Sequence, residues 1–169
     1  SVLNVIMMAE LPPCPSCKGK MDQAGRNPNF ECKAKRWSER VMNIKFTAKY
    51  YDSSSEDDVL TVGFADSEAD PQHFLLLQRA EEPDEQDVEL GQDTYYVEIG
   101  DPGIAGYGGI DDVLITADKL VFKCSNSTQW CKTIKVIEIE ITTQLGSIDD
   151  IESSLRGILI DKPTTISRL

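Results

Sequence analysis

The sequence predicts an α+β domain, a mostly antiparallel β-sheet with a C-terminal amphipathic helix packed on one face. Two patterns predict it. Apolar and polar residues alternate with a period of two in segments between Asn43 and Thr142, and after Ser147 the apolar spacing lengthens to three and four. A third observation sets the scale: 169 residues, 40% hydrophobic and 27% charged, make a globular composition with room for one ordinary domain and a small appendage.

The elements follow in order. Ile44, Phe46, Ala48 and Tyr50 alternate with Lys45, Thr47 and Lys49, a strand with one wet face. Tyr51 to Asp58 reads as a polar loop, and Val59 to Phe64 resumes the alternation, closing a hairpin. His73 to Leu77 is a continuous apolar run suited to a strand covered on both faces. Tyr95 to Ile99 is aromatic and β-branched, again a strand. Val113–Thr116 and Leu120–Lys123 flank a short hairpin connection, and Ile134–Thr142 is the longest strand, with Ile137, Ile139 and Ile141 on its apolar side. Ser147 is an N-cap with Asp149 and Asp150 in the first turn. Ile148, Ile151, Leu155 and Ile158 then form one stripe, and Pro163 stops the helix.

Charge divides the chain into an appendage and a body. The net charge is −12, yet residues 1–41 hold seven of the 17 basic and four of the 29 acidic residues, a net of +3. Residues 42–169 therefore carry −15. Such a body repels nucleic acid as a main partner. The longest uncharged apolar stretch, Val2 to Ala9, falls far short of the roughly 20 residues that cross a bilayer and lacks a basic flank, so the expectation is a cytoplasmic protein with no membrane segment.

In the appendage, Cys14-Pro-Ser-Cys17 and Cys32 resemble a degenerate zinc ribbon, since a Cys-x-x-Cys turn brings two thiolates to one tetrahedral ion. Position 35 is Lys where a second knuckle would continue, so Cys14, Cys17 and Cys32 need a fourth ligand: His73, Cys124, Cys131, an acid or water. A ribbon without metal and an upstream extension are the plainer readings. Cys124 and Cys131 read as free thiols.

Glu81, Glu82, Asp84, Glu85, Asp87 and Glu89 crowd nine residues. Such a run is by default a solvated loop, lacks the spacing of a calcium loop, and suits a cationic protein partner. The glycines at 100, 103, 106, 108 and 109 do not cradle phosphate, because Asp111 and Asp112 follow where a Lys and a helix are needed. They read instead as a β-connection that presents Tyr107 on an exposed loop. With one histidine, His73, in an apolar run, and no nucleophile–base pairing, the chain reads as no enzyme.

The blocks Val62-Gly-Phe-Ala-Asp66, Phe74-Leu-Leu-Leu-Gln-Arg79, Asp84-Glu-Gln-Asp-Val-Glu-Leu-Gly91, Thr94-Tyr-Tyr-Val-Glu98 and Gly106-Tyr-Gly-Gly-Ile110 resemble the immunity protein 10 family of bacterial polymorphic toxin systems over about Met42 to Ile160. The resemblance implies a non-catalytic inhibitor, encoded beside a toxin, that protects its producer by binding the toxin domain. The residues expected to meet the toxin are the acidic run 81–89 with Tyr107, Asp111 and Asp112, and the charge suits a nuclease target. Two alternatives stand beside it. One is a zinc-ribbon adaptor acting through residues 14–36. The other is a small-ligand-binding β protein that stacks its ligand on Tyr95, Tyr96, Tyr107 and Trp130, although Tyr95 and Tyr96 must face opposite ways.

Overall fold

The computed structural model describes residues 41–125, 127–160 and 164–169. Its strands are β1 (Met42–Thr47), β2 (Tyr50–Glu56), β3 (Val59–Ala65), β4 (Phe74–Ala80), β5 (Tyr96–Ile99), β6 (Ile104–Tyr107), β7 (Ile110–Ile115), β8 (Lys119–Cys124), β9 (Ile134–Glu140) and β10 (Thr165–Arg168). Helix α1 (Glu85–Leu90) precedes β5 and α2 (Ile148–Ile158) follows β9. The α+β class stands, with two five-stranded sheets, β1-β9-β8-β7-β10 and β2-β3-β4-β5-β6. The second is antiparallel throughout; in the first, β1 on β9 and β10 on β7 are parallel.

The segment expected to be one strand over Asn43–Tyr50 is two. Ala48 N–H donates to Glu140 of β9 while the next residue, Lys49, donates to Ala65 of β3. The chain changes sheets between these residues and its facing flips, so that Ile44, Phe46 and Ala48 point inward but Tyr50 points out and Tyr51 in. The segment Tyr51–Asp58, expected to be a loop, is mostly β2. Seven register pairs with β3 override its low propensity, and Asp57 and Asp58 make the tight turn at φ 51° and 61°. Strands β6 and β10 were not anticipated. Both are four residues long, one among glycines and one beyond Pro163.

Inner-face side chains align in rows across each sheet. In the first, Ile44, Ile137, Phe122, Val113 and Ile166 form one row, and Phe46, Ile139, Leu120 and Ile115 the next. In the second, Val62, Leu77 and Val97 form one row, and Phe64, Leu75 and Ile99 the other. All of these but Ile166 are buried, in one cluster that also takes in Ile151, Leu155 and Ile158 of α2. Each fully buried Ile, Leu or Phe contributes about 1.5–3 kcal/mol before chain entropy is subtracted.

Helix α2 lies on the inner face at β2–β4, as its apolar stripe predicts. The Ser147 hydroxyl accepts from Asp149 N–H. Tyr51 and Ser53 donate to Ser154 at 3.0 and 2.9 Å, and Arg79 donates to the Ile158 carbonyl at 3.2 Å. Tyr95, 2% exposed, ties the two sheets together: its hydroxyl accepts from Ile110 N–H at 2.8 Å. No described helix is long and apolar enough to cross a membrane.

Candidate functional site

The acidic run is partly a helix. Asp84 caps α1, its carboxylate accepting from Asp87 N–H at 2.8 Å while the Asp87 carboxylate accepts from Asp84 N–H at 3.2 Å. Glu85 and Asp87 sit in the first turn, where the positive end of the helix dipole favours them, and Gly91 ends the helix at φ 67°. No residue of α1 is buried, and Val88 and Leu90 are 56% and 60% exposed. Glu81, ahead of the helix, accepts from Ser55 at 2.9 Å, and its own N–H donates to Asp58 at 2.8 Å.

Tyr107 is not on an exposed loop. It ends β6, half-buried, with its ring edge-on to Tyr96 at 5.5 Å. Gly108 and Gly109 then turn the chain into β7. Trp130 is buried and donates through Nε1 to Gly108 O at 3.0 Å. Of the four aromatics considered for stacking a ligand, Tyr95 and Trp130 therefore belong to the core, while Tyr96 and Tyr107 share the outer face of the second sheet.

Register shows which expected residues come together. Strand β4 ends at Ala80 opposite Val59, and Gln78 pairs with Tyr96, which pairs with Tyr107. The acidic run, which links Ala80 to Tyr96, thus hangs from the end of the sheet where Tyr96 and Tyr107 lie. Asp111 sits in a β-bulge of β7, and Asp112 lies opposite Lys123 on the outer face of the first sheet, away from Tyr107.

A surface absent from the sequence reading lies beside them. On the outer face of the second sheet one row runs Asp52, Gly63, Leu76, Glu98 and Ala105, and another runs Tyr50, Ala65 and Phe74. Tyr50, Asp52, Phe74 and Leu76, with Ser67, Glu68 and Pro71 of the β3–β4 connection, line an open groove of about 520 Å³ floored by Gly63 and Ala65. Among the described residues of its strands, Asp52, Glu56 and Glu98 are the charged ones on this face, and no Lys, Arg or His shares it. Burial, then the neighbouring Glu98 and Tyr107, raises the Tyr96 phenol above its ordinary value. The signal was present as alternation, but only the placing of Tyr50 and Phe74 on opposite flanks of a glycine and an alanine makes a groove.

The outer face of the first sheet is different. Lys45 bridges Glu138 at 3.1 Å and Glu140 at 2.8 Å, and Lys119 approaches Glu138 at 3.9 Å. The hydrogen bonds to Glu140 and Glu138 raise Lys45, and that from Lys45, helped by Thr47, lowers Glu140. Here Glu138 and Glu140 are paired with lysines of the same face.

His73 is braced structurally, with Nδ1 2.9 Å from Asp66, Nε2 3.4 Å from Asp101 and its ring stacked on Phe46. The His73 side chain holds the Asp66 carboxyl below the usual carboxylate range. Cys124 and Cys131 are free thiols. Their mutual hydrogen bond lowers Cys131 to about 7 and, with burial, pushes Cys124 well up. Cys14, Cys17 and Cys32 lie outside the described residues, among which no group of three His, Cys, Asp or Glu could hold a metal ion.

A family model described as immunity protein 10 matches residues 45–150, from β1 into the first turn of α2. No curated protein matches the chain.

Proposed function

The chain belongs to the immunity protein 10 family, and from that premise we propose that it is a non-catalytic inhibitor that binds and neutralises a cognate bacterial toxin domain through an acidic surface, inside the cell that makes both. The observation that carries this reading is the family match, which covers 45–150 and so takes in β2–β9, α1 and half of β1. Physical chemistry supports it. An inhibitor needs a rigid surface with a few buried anchors, and complementary charge to speed and select the encounter. Two sheets locked through one core supply the rigidity. The −15 of residues 42–169 supplies a field that attracts a cationic partner. Enzymes that hold nucleic acids carry cationic clefts, so a nuclease domain is the toxin class this charge fits best.

The test is co-expression of the full chain with the toxin domain encoded in the adjacent reading frame. Protection of the host and a stable complex of the two purified proteins are expected. Cells that die as readily with the chain as without it would overturn the reading.

A further inference from the structure

We propose that the outer face of the second sheet, β2–β6, is the surface that seats the toxin, and that it receives a cationic face of that protein; this rests on the inhibitor reading above. Three observations converge on it.

The first is shape. The floor is small, Gly63 and Ala65, and its flanks are large, Tyr50 on one side and Phe74 and Leu76 on the other, so a side chain of the partner can enter the groove. Aromatic flanks around a pocket are the composition of interface anchors. Tyr50 is 44% exposed and Tyr96 and Tyr107 are half-buried, so apolar area remains to be covered.

The second is charge. Asp52 and Glu98 border the groove row and Glu56 lies at the sheet end, while the acidic run 81–89 continues the same sign beyond Ala80. Among the described residues, no cation on the face answers them. The outer face of the first sheet, by contrast, spends its carboxylates on Lys45 and Lys119. Unmatched carboxylates around an apolar floor fit a protein surface with Lys or Arg at its rim and an apolar or guanidinium-stem anchor at its centre.

The third is the glycine. A Cβ built on Gly63 meets nothing closer than Leu76 Cδ1 at 3.7 Å, so neither backbone strain nor internal packing requires glycine there. Glycine inside a strand weakens it and marks a place where another chain approaches closely. Here it keeps the floor of the groove low.

The decisive variant follows from that. Gly63→Arg places bulk and positive charge in the groove without disturbing the core, and Tyr50→Ala/Asp52→Lys alters only exposed positions of the edge strand. Asn43→Arg, exposed on the outer face of the first sheet, is the control. In the full chain, titrated against an inactive form of the adjacent-frame toxin domain, Gly63→Arg and the double variant should weaken binding about 100-fold or more with an unchanged thermal midpoint. Asn43→Arg should bind within about threefold of wild type. Wild-type-like binding by Gly63→Arg, or groove variants that change only self-association in light scattering, would overturn this surface while leaving the inhibitor reading intact. A wild-type chain that fails to bind the toxin at all would instead remove the inhibitor reading and this surface with it.

Discussion

Gly109 and Gly91 both hold positive φ, yet the structure asks different things of them. At Gly91 a Cβ would meet nothing within 4 Å, so only the left-handed backbone argues for glycine. Gly91→Ala should cost about 1 kcal/mol. At Gly109, φ 99°, a Cβ would lie 2.5 Å from Cys131 Sγ and 2.7 Å from Thr128 Oγ1. Overpacking adds to strain, and Gly109→Ala should cost about 2–4 kcal/mol. Urea unfolding of both variants checks the ordering, and equal losses would show that the Gly109 pocket relaxes. At this scale the sequence was informative about chemistry and silent about surroundings. That Tyr95 and Tyr96 must part was plain from alternation; that Tyr107 lies edge-on to Tyr96 needed the β5–β6 register.

Among the elements, two carboxylates pin segments that would otherwise be loosely held. Asp66 closes the β3–β4 connection, accepting from the N–H groups of Gln72 and His73 at 3.1 Å each and pairing with the His73 ring. Glu140 ties β9 to β1 through Lys45 and Thr47. Both are held below their ordinary values of 3.8 and 4.5, the first mainly by His73 and the second mainly by Lys45. A lowered carboxyl stabilises the fold fully above its ordinary value and loses that contribution as pH falls through the folded one. Asp66→Asn/Glu140→Gln should therefore lower the thermal midpoint most at neutral pH, and the difference from wild type should shrink as pH falls below the ordinary carboxylate values. A midpoint difference that stays constant with pH would contradict the pinning. Helix α2 and the strongly alternating strands were legible because one face of each is buried. Helix α1 carries its own signal in the Asp84-x-x-Asp87 box and Gly91, which the acidity of the run masks. Strand β2 was not: its serines look like a loop, and only pairing with β3 and hydrogen bonds to Ser154 and Glu81 make it a strand.

For the whole molecule, the family and the α+β class were readable, whereas the division into two sheets was not, because a switch between sheets at Ala48–Lys49 leaves the hydrophobic alternation almost unbroken. The same holds for the surface. Net charge gives sign, and only the fold shows that one outer face pairs Glu138 and Glu140 with lysines while the other, among the described residues, carries carboxylates and no cation. Association with the toxin should therefore be steered: its on-rate should fall at least tenfold between about 20 mM and 500 mM salt while the dissociation rate moves little. Stopped-flow mixing measures both, and a salt-independent on-rate would argue that the field plays no part in the encounter.

Strands β1, β9, β7 and β10 all point one way, with β8 alone opposed, and β1 and β10 form the two margins of that sheet. The chain consequently enters at one end of the sheet and leaves from the other. Tension drawn between Met42 and Arg168 would act along the strand axes, loading every rung of the β1–β9 and β10–β7 ladders together instead of peeling them one after another. A body joined to neighbouring segments in this way resists being stretched far better than its thin four-residue closing strand suggests.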